Sequence, residues 1–249
     1  MATTESQSVG PYTTQEARID LAAAHRLAVI EGMKDLALGN HFTLLDPEDP
    51  ERMLATPAQE PWPLITASGL ELIDSREQAE ADHHLWINYR IHWPIHRSRP
   101  DAACVLHVHP TYLTVLSMID TDLNGAEQMA IYFRDKVAFT DQFDTAVGGL
   151  GMEQGEYLAE QLGDRVALVM RNHGITVVGP TVAFAYSVLS ILEQAAKCQV
   201  IAMSTGRSFL DVPEDVLGEF LGQETGGHWN VNFAAMKRLL DRREPDYKN

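Results

Sequence analysis

The sequence predicts an α/β layered fold, and three observations carry that expectation. Short apolar, strand-like runs lie at residues 41–44, 103–109, 166–170 and 175–178. Helical apolar stripes lie before, between and after them. Strands outnumber helices early in the chain and alternate with them later, the pattern of a layered α/β domain. With 249 residues, 45% hydrophobic and 22% charged, the chain suits one large domain or two small ones with a sizeable core.

The elements follow in order. Residues 1–12 are polar, contain Gly10-Pro11 and read as a flexible tail. Thr13 and Glu16 have capping-box spacing, and Ile19, Ala22, Ala23, Leu27 and Ile30 form a helical stripe that Gly32 stops. His41–Leu44 is a strand, Asp46–Glu51 an acidic turn, Met53–Ala55 another strand, and Pro57, Pro61 and Pro63 stiffen the following loop. Thr66–Ser68 makes a brief helical turn into a strand over Gly69–Asp74, and residues 75–83 read as a polar turn. Leu85–Arg97 is a helix with Ile87, Ile91 and Ile95 four apart, although Pro94 opposes it. Ala103–His109 is a strand that Pro110 stops, and Thr111–Ile119 is a helix. Lys136–Phe139 is a strand, Gly148-Gly149-Leu150-Gly151 a loop, Met152–Leu162 a helix, and Val166–Met170 and Ile175–Val178 are strands around Asn172-His173-Gly174. Gly179-Pro180 opens the longest helix, with Pro near its first turn. No internal repeat and no domain boundary is evident before about residue 207; from Ser208 the chain reads as loop and helix, with a helical Met236–Arg243.

Composition excludes several function classes. Nineteen Lys+Arg against 35 Asp+Glu give a net charge of −16, which repels phosphate backbones and anionic membranes. No nucleic-acid or membrane partner is therefore expected. A small anionic substrate needs only one local positive centre. Two cysteines, Cys104 and Cys198, cannot form a disulfide framework. The start of the sequence has no signal-peptide pattern, and the longest apolar stretch, Val182–Met203, is broken by Glu193, Gln194, Lys197 and Gln199. A cytoplasmic protein is expected.

Histidines carry the chemistry. Most of the ten, including His25, His83, His84, His92, His96 and His228, read as surface or satisfied core residues. His107-Val108-His109 differs, because residues two apart on a strand project to one face and bring two imidazoles together. Exposed histidines on an edge strand are the competing reading. His173, in the turn after the 166–170 strand, is placed to be a third ligand.

Together with Gly39-Asn40-His41-Phe42, Ser98-Arg99-Pro100-Asp101, Arg171-Asn172-His173-Gly174 and Leu192-Glu193-Gln194-Ala195-Ala196, these histidines resemble the class II aldolase/adducin family over roughly residues 15–207. Residues 39–44 and 65–68 are similar to adducin-like segments. The resemblance implies a three-layer α/β/α sandwich around a mostly antiparallel sheet. It divides the chain into a tail (1–12), the family domain (13–207) and a C-terminal extension (208–249) that packs on the domain or on a neighbouring subunit. It further implies a divalent metal on His107, His109 and His173, most commonly zinc, with manganese, cobalt or iron as alternatives. A homotetramer with active sites between subunits is also implied. Gly39, Asn40, His41 and Arg90 fall at pocket positions and read as substrate-binding.

Two departures shape the functional reading. The family's aldolases carry a proton-transferring Glu ahead of the Ser-Arg-Pro run, and Asn88 stands there. Asn cannot act as a general base. The residue pairs that would complete a phosphate pocket fall near Ala58-Gln59 and Trp86-Ile87, which donate poorly. Trp62 and Trp86 suggest an apolar or aromatic-lined site. The expected activity is a metal-dependent carbon–carbon lyase, a decarboxylase or aldolase-like enzyme, acting on a small non-phosphorylated oxo- or hydroxy-acid. Asn88 and Tyr132 are the catalytic candidates; His41 and a metal-bound hydroxide are alternative bases. A non-heme Fe(II) oxygenase and a non-catalytic adducin-like interaction module are the alternatives. His228, Trp229 and Tyr247 are candidates for closing the site from a neighbouring subunit.

Overall fold

The computed structural model describes residues 12–34, 39–119, 121–123, 127–140, 151–221 and 228–249, apart from the side chains of 220, 221 and 228. Residues 1–11 of the expected 1–12 tail, the Gly148–Leu150 part of the glycine loop and the His228 side chain lie outside the described residues.

Among the described residues, seven strands form one sheet: β1 (His41–Asp46), β2 (Asp49–Ala55), β3 (Glu71–Ile73), β4 (Cys104–Val108), β5 (Val137–Phe139), β6 (Ala167–Val169) and β7 (Ile175–Gly179). Their order is β3-β2-β1-β4-β7-β6-β5, and β5–β6 alone is parallel. Helices α1 (Thr14–Ile30), α4 (Thr111–Ser117), α6 (Val182–Ser204) and α8 (His228–Arg243) cover one face. Helices α2 (Arg76–Ala81), α3 (His83–Ser98) and α5 (Glu153–Leu162) cover the other, and α7 (Glu214–Leu221) packs near residues 130–133. The sandwich around a mostly antiparallel sheet is therefore as expected.

Strand alternation decides which residues reach which layer. On β1 and β4, Phe42, Leu44, Cys104 and Leu106 enter the large apolar core beneath α1 and α6. Val105 enters the smaller core under α3 and α5. His41, Thr43 and His107 share the α3/α5 side, so the centre of that face is polar and buried.

Local chemistry explains the helix limits. The Thr13–Glu16 capping box forms with both hydrogen bonds, and Thr181 caps α6 by accepting from the Phe184 N–H. Residues 75–83, expected to be a turn, instead contain α2, which Ser75 caps by accepting from the Gln78 N–H. Asp82 caps α3 in turn. The Asp46–Glu51 turn is tighter than expected, because β1 and β2 continue to Asp46 and Asp49. Helix α3 runs through Pro94. Pro94 has no N–H for the Arg90 carbonyl, and that carbonyl faces Gly155 of α5, where an added Cβ would lie 2.3 Å from it. Gly155 thus lets α5 press onto the proline turn of α3.

The C-terminal extension is helical over more residues than expected, beginning at α7. Helix α8 packs on α6 and α1. The buried Arg26 donates to Ile65 O (2.8 Å) and pairs with Asp246 (2.8 Å). Tyr247 O and Asn249 O accept from the N–H groups of Ala67 and Ser68. These contacts pin residues 244–249 beside the proline-rich loop.

Candidate metal centre

Three histidines meet at the end of β4. His107 lies on the strand, and His109 follows it directly. β7 pairs antiparallel with β4, matching Val108 with Ile175, so the turn preceding β7 sits beside His109. That turn carries His173. Asn172 adopts φ 53°, a left-handed conformation that asparagine tolerates. A Cβ on Gly174 would lie 2.3 Å from Val108 O and 2.4 Å from His109 Cδ2. Asn-His-Gly is thus a steric requirement: Asn turns the chain, and Gly lets His173 close on β4.

The ring centroids are 4.9 Å apart for His107–His109, 5.1 Å for His107–His173 and 4.7 Å for His109–His173. One nitrogen from each ring lies within 4.8 Å of the other two, the sole such group among the described residues. His107 Nδ1 is 3.1 Å from Ile175 O, which can only accept, so Nδ1 carries the hydrogen and Nε2 keeps its lone pair. Burial, reinforced by His41, His173 and His109, holds the His107 imidazole well below its ordinary pKa. A neutral imidazole with one nitrogen tied back, as His107 is, suits a divalent cation, and three imidazole nitrogens this close together fit one.

Around this group the other expected site residues divide. Gly39 (φ 93°) and His41 line a cavity of about 260 Å³ with His107 and His173. Arg90 lines it too, donating to Gln154 Oε1 at 2.9 Å. Asn40 instead accepts the His109 backbone N–H at 2.9 Å, so it fixes a residue that carries a candidate ligand. Asn88 is fully buried behind the cavity wall and donates to His84 O at 2.9 Å. Tyr132 lines a separate cavity with Trp229 and Asn232 on the α6/α8 side. Trp229 packs on Phe133 and Phe184, and Tyr247 is buried with its hydroxyl on Asp241, so both serve their own chain's core.

The remaining wall is largely apolar, formed by Trp86, Ile87, Ile91, Leu158 and Met170. Trp86 is legible in the sequence. Thr176, opposite His107 across β4 and β7, follows from strand alternation once the register is known. Gln154 and Leu158 enter through the α3–α5 approach, which no sequence signal announces. A wider cleft, lined by Pro57, Trp62 and His84, shares Gly39, His41, His83 and Ile87 with this cavity.

The profile of the class II aldolase and adducin N-terminal domain matches residues 19–200. A putative aldolase class 2 protein of Caulobacter vibrioides is 30% identical over 239 residues, covering 93% of this chain and 91% of its own. Decarboxylase NovR of Streptomyces niveus is 30% identical over 225 residues, covering 86% and 80%. The crystal structure of an aldolase II superfamily protein from Pseudomonas syringae superposes with a TM-score of 0.82 at 29% identity, over 97% of this chain and 98% of that one.

Proposed function

Since this chain belongs to the class II aldolase and adducin N-terminal domain family, we propose that it is a metal-dependent carbon–carbon lyase for small, non-phosphorylated oxo- or hydroxy-carboxylic acids. The observation that carries the reading is the convergence of His107, His109 and His173, of which His107 and His173 line a largely apolar cavity. These three would hold the cation, with zinc first and manganese, cobalt or iron as alternatives. A bound cation supplies chelation of the acid's oxygens and an electron sink for the charge that develops as the C–C bond breaks.

The chain's own residues bias the chemistry toward decarboxylation. Retro-aldol cleavage must begin by removing a hydroxyl proton; Asn88 cannot take one, and His41, held well below its ordinary pKa by burial, is a weak base. Decarboxylation needs no base to start. The name of the NovR relative accords with this bias. Asn88 is read as a polar support behind the wall, in keeping with its burial. Arg90 offers a cationic contact to an anionic end of the substrate, and Gln154 aims its guanidinium. Gly39 and Asn40 shape the rim. Trp86, Ile87 and Ile91 exclude water and favour an apolar substrate body. Tyr132 lies outside this cavity in a single chain, so a part for it requires the proposed homotetramer with sites between subunits. A cytoplasmic location belongs to the same reading, and free Cys104 and Cys198 accord with it. Among the described residues, no helix is long and apolar enough to cross a membrane.

Elemental analysis of protein purified without added metal, beside a His107→Ala/His109→Ala variant, tests the reading. About one zinc or manganese per chain, lost in the variant, is expected. Released carbon dioxide or aldehyde from a panel of oxo- and hydroxy-acids then identifies the bond broken. Iron with dioxygen uptake would replace the lyase by an oxygenase. No metal in either sample after reconstitution would overturn both and leave an adducin-like module.

A further inference from the structure

Behind the three histidines lies a buried polar chain that the proposed chemistry does not use. His96 Nδ1 is 2.6 Å from Ala102 O, so Nδ1 carries a hydrogen and Nε2 is bare. Thr43 Oγ1 lies 2.8 Å from that bare His96 Nε2 and must donate its single hydrogen to it. His92 Nδ1, 2.7 Å from the same oxygen, must then donate to Thr43. One carbonyl thereby fixes the tautomer of two imidazoles, and His92 Nε2 is left with a lone pair.

That lone pair is buried and has no hydrogen-bond partner among the described residues, and one atom on each of two neighbouring residues shares this condition: Asn88 Oδ1 and His41 Nδ1. Asn88 precedes His92 by one turn of α3 and lies on the same face. The His41 and His92 rings are 4.4 Å apart. His41, Asn88 and His92 are 4%, 0% and 0% exposed. The Asn88 amide is oriented by its donation to His84 O, so the orphaned atom is the acceptor oxygen. Leaving such groups unmatched in a buried site is costly.

We propose that His41, Asn88 and His92 form a binding site for one internal water molecule, and that this water fixes His41 as the Nδ1–H tautomer. One water donates two hydrogen bonds and accepts others. It satisfies two acceptors, Asn88 Oδ1 and His92 Nε2, only if His41 Nδ1 donates to it. Were His41 Nδ1 bare, three acceptors would compete for two hydrogens. The consequence reaches the metal centre, on the reading given above. His41 lines the cavity, 4.9 Å from the His107 ring. With its hydrogen on Nδ1, it presents a bare Nε2 there and accepts a hydrogen bond from a hydroxyl or water of the bound ligand. Thr43, His92 and His96 are positioning residues that act through this water. Asn88 supplies an acceptor to an internal solvent molecule where the family's aldolases place their carboxylate.

The tautomers are read directly by long-range ¹H–¹⁵N correlation spectra of metal-free protein with ¹⁵N-labelled histidine. The expected result is Nδ1–H for His41, His92 and His96. A Thr43→Val variant removes the acceptor of His92 Nδ1–H and shifts the His92 nitrogen signals toward Nε2–H. Thr43→Ser keeps the hydroxyl and reproduces the wild-type pattern, which holds the test open if the valine variant does not fold. A high-resolution crystal structure is expected to show one ordered water touching Asn88 Oδ1, His92 Nε2 and His41 Nδ1. A bare Nδ1 on His41, His92 signals unmoved by Thr43→Val, or no ordered solvent at that position would overturn the proposal. None of these measurements uses metal or substrate, so failure of the lyase reading is seen separately.

Discussion

Replacing Gly174 by Ala tests whether the candidate metal centre depends on close backbone packing. Its Cβ would lie 2.3 Å from Val108 O and 2.4 Å from His109 Cδ2. Real Cβ contacts stay beyond 3.0 Å, so the turn must retreat by at least 0.7 Å from a carbonyl embedded in the sheet. Val108 O cannot yield cheaply, because β4 is hydrogen-bonded to β1 on one side and β7 on the other. The displacement therefore falls on His173 and on the His109 ring. Overpacking of this kind costs about 1–3 kcal/mol. At roughly 2–4 °C per kcal/mol for a chain of this size, the thermal midpoint drops by about 2–12 °C. Moving two of the three proposed ligands is expected to cost metal affinity as loss of a supporting residue does, about 10–100-fold. Calorimetric titration of apo-protein with zinc, beside thermal unfolding of both proteins, reads both effects. Zinc affinity within twofold of wild type would refute the packing argument.

Three further outcomes are expected. Burial lowers His25 to about 3 and His96 to about 4 from an ordinary 6.5, so the unfolded chain binds these protons first as pH falls. Their contribution is whole above about pH 6.5 and fades below it by about 1.4 kcal/mol per pH unit for each; urea unfolding of metal-free protein that stays flat from pH 6.5 to 4.5 would contradict this. Arg26→Ala removes the donors to Ile65 O and Asp246, with an expected loss of about 1–3 kcal/mol and faster hydrogen exchange at the Ala67 and Ser68 amides; unchanged exchange there would show that Arg26 does not hold residues 244–249. Arg90→Gln is expected to raise KM for an acid substrate more than it lowers kcat, and an unchanged KM would remove Arg90 from substrate contact.

How much of this is legible in the sequence depends on what each feature rests on. The layered fold and the HxH pair are readable because alternation and residue spacing are local. His173 is readable because a turn after a strand is a local signal too. Asn88 stands out as unusual, but its side chain turns behind the wall, which depends on how α3 rotates against β1. His92 and His96 read as ordinary core residues; their shared partner, Thr43, is 49 and 53 positions away along the chain. Gln154 becomes a wall residue only through the Gly155–Pro94 approach. Helix α2 escapes a sequence reading because a six-residue helix offers less than two turns of periodicity.

Strand β4 assigns stability and chemistry to opposite sides of one backbone. Cys104, Leu106 and Val108 belong to the large core, while His107 faces the helices that wall the cavity. A single-residue insertion or deletion in this strand would exchange the two sets, sending a histidine into hydrocarbon and a leucine toward the candidate metal site. Length variation is therefore forbidden in β4, whereas substitution is not. A combinatorial library at 104, 106 and 108 could raise the melting temperature with no new contact to the cavity. A library on the walls at 86, 87, 91 and 158 could alter substrate preference without disturbing the sheet that carries the ligands.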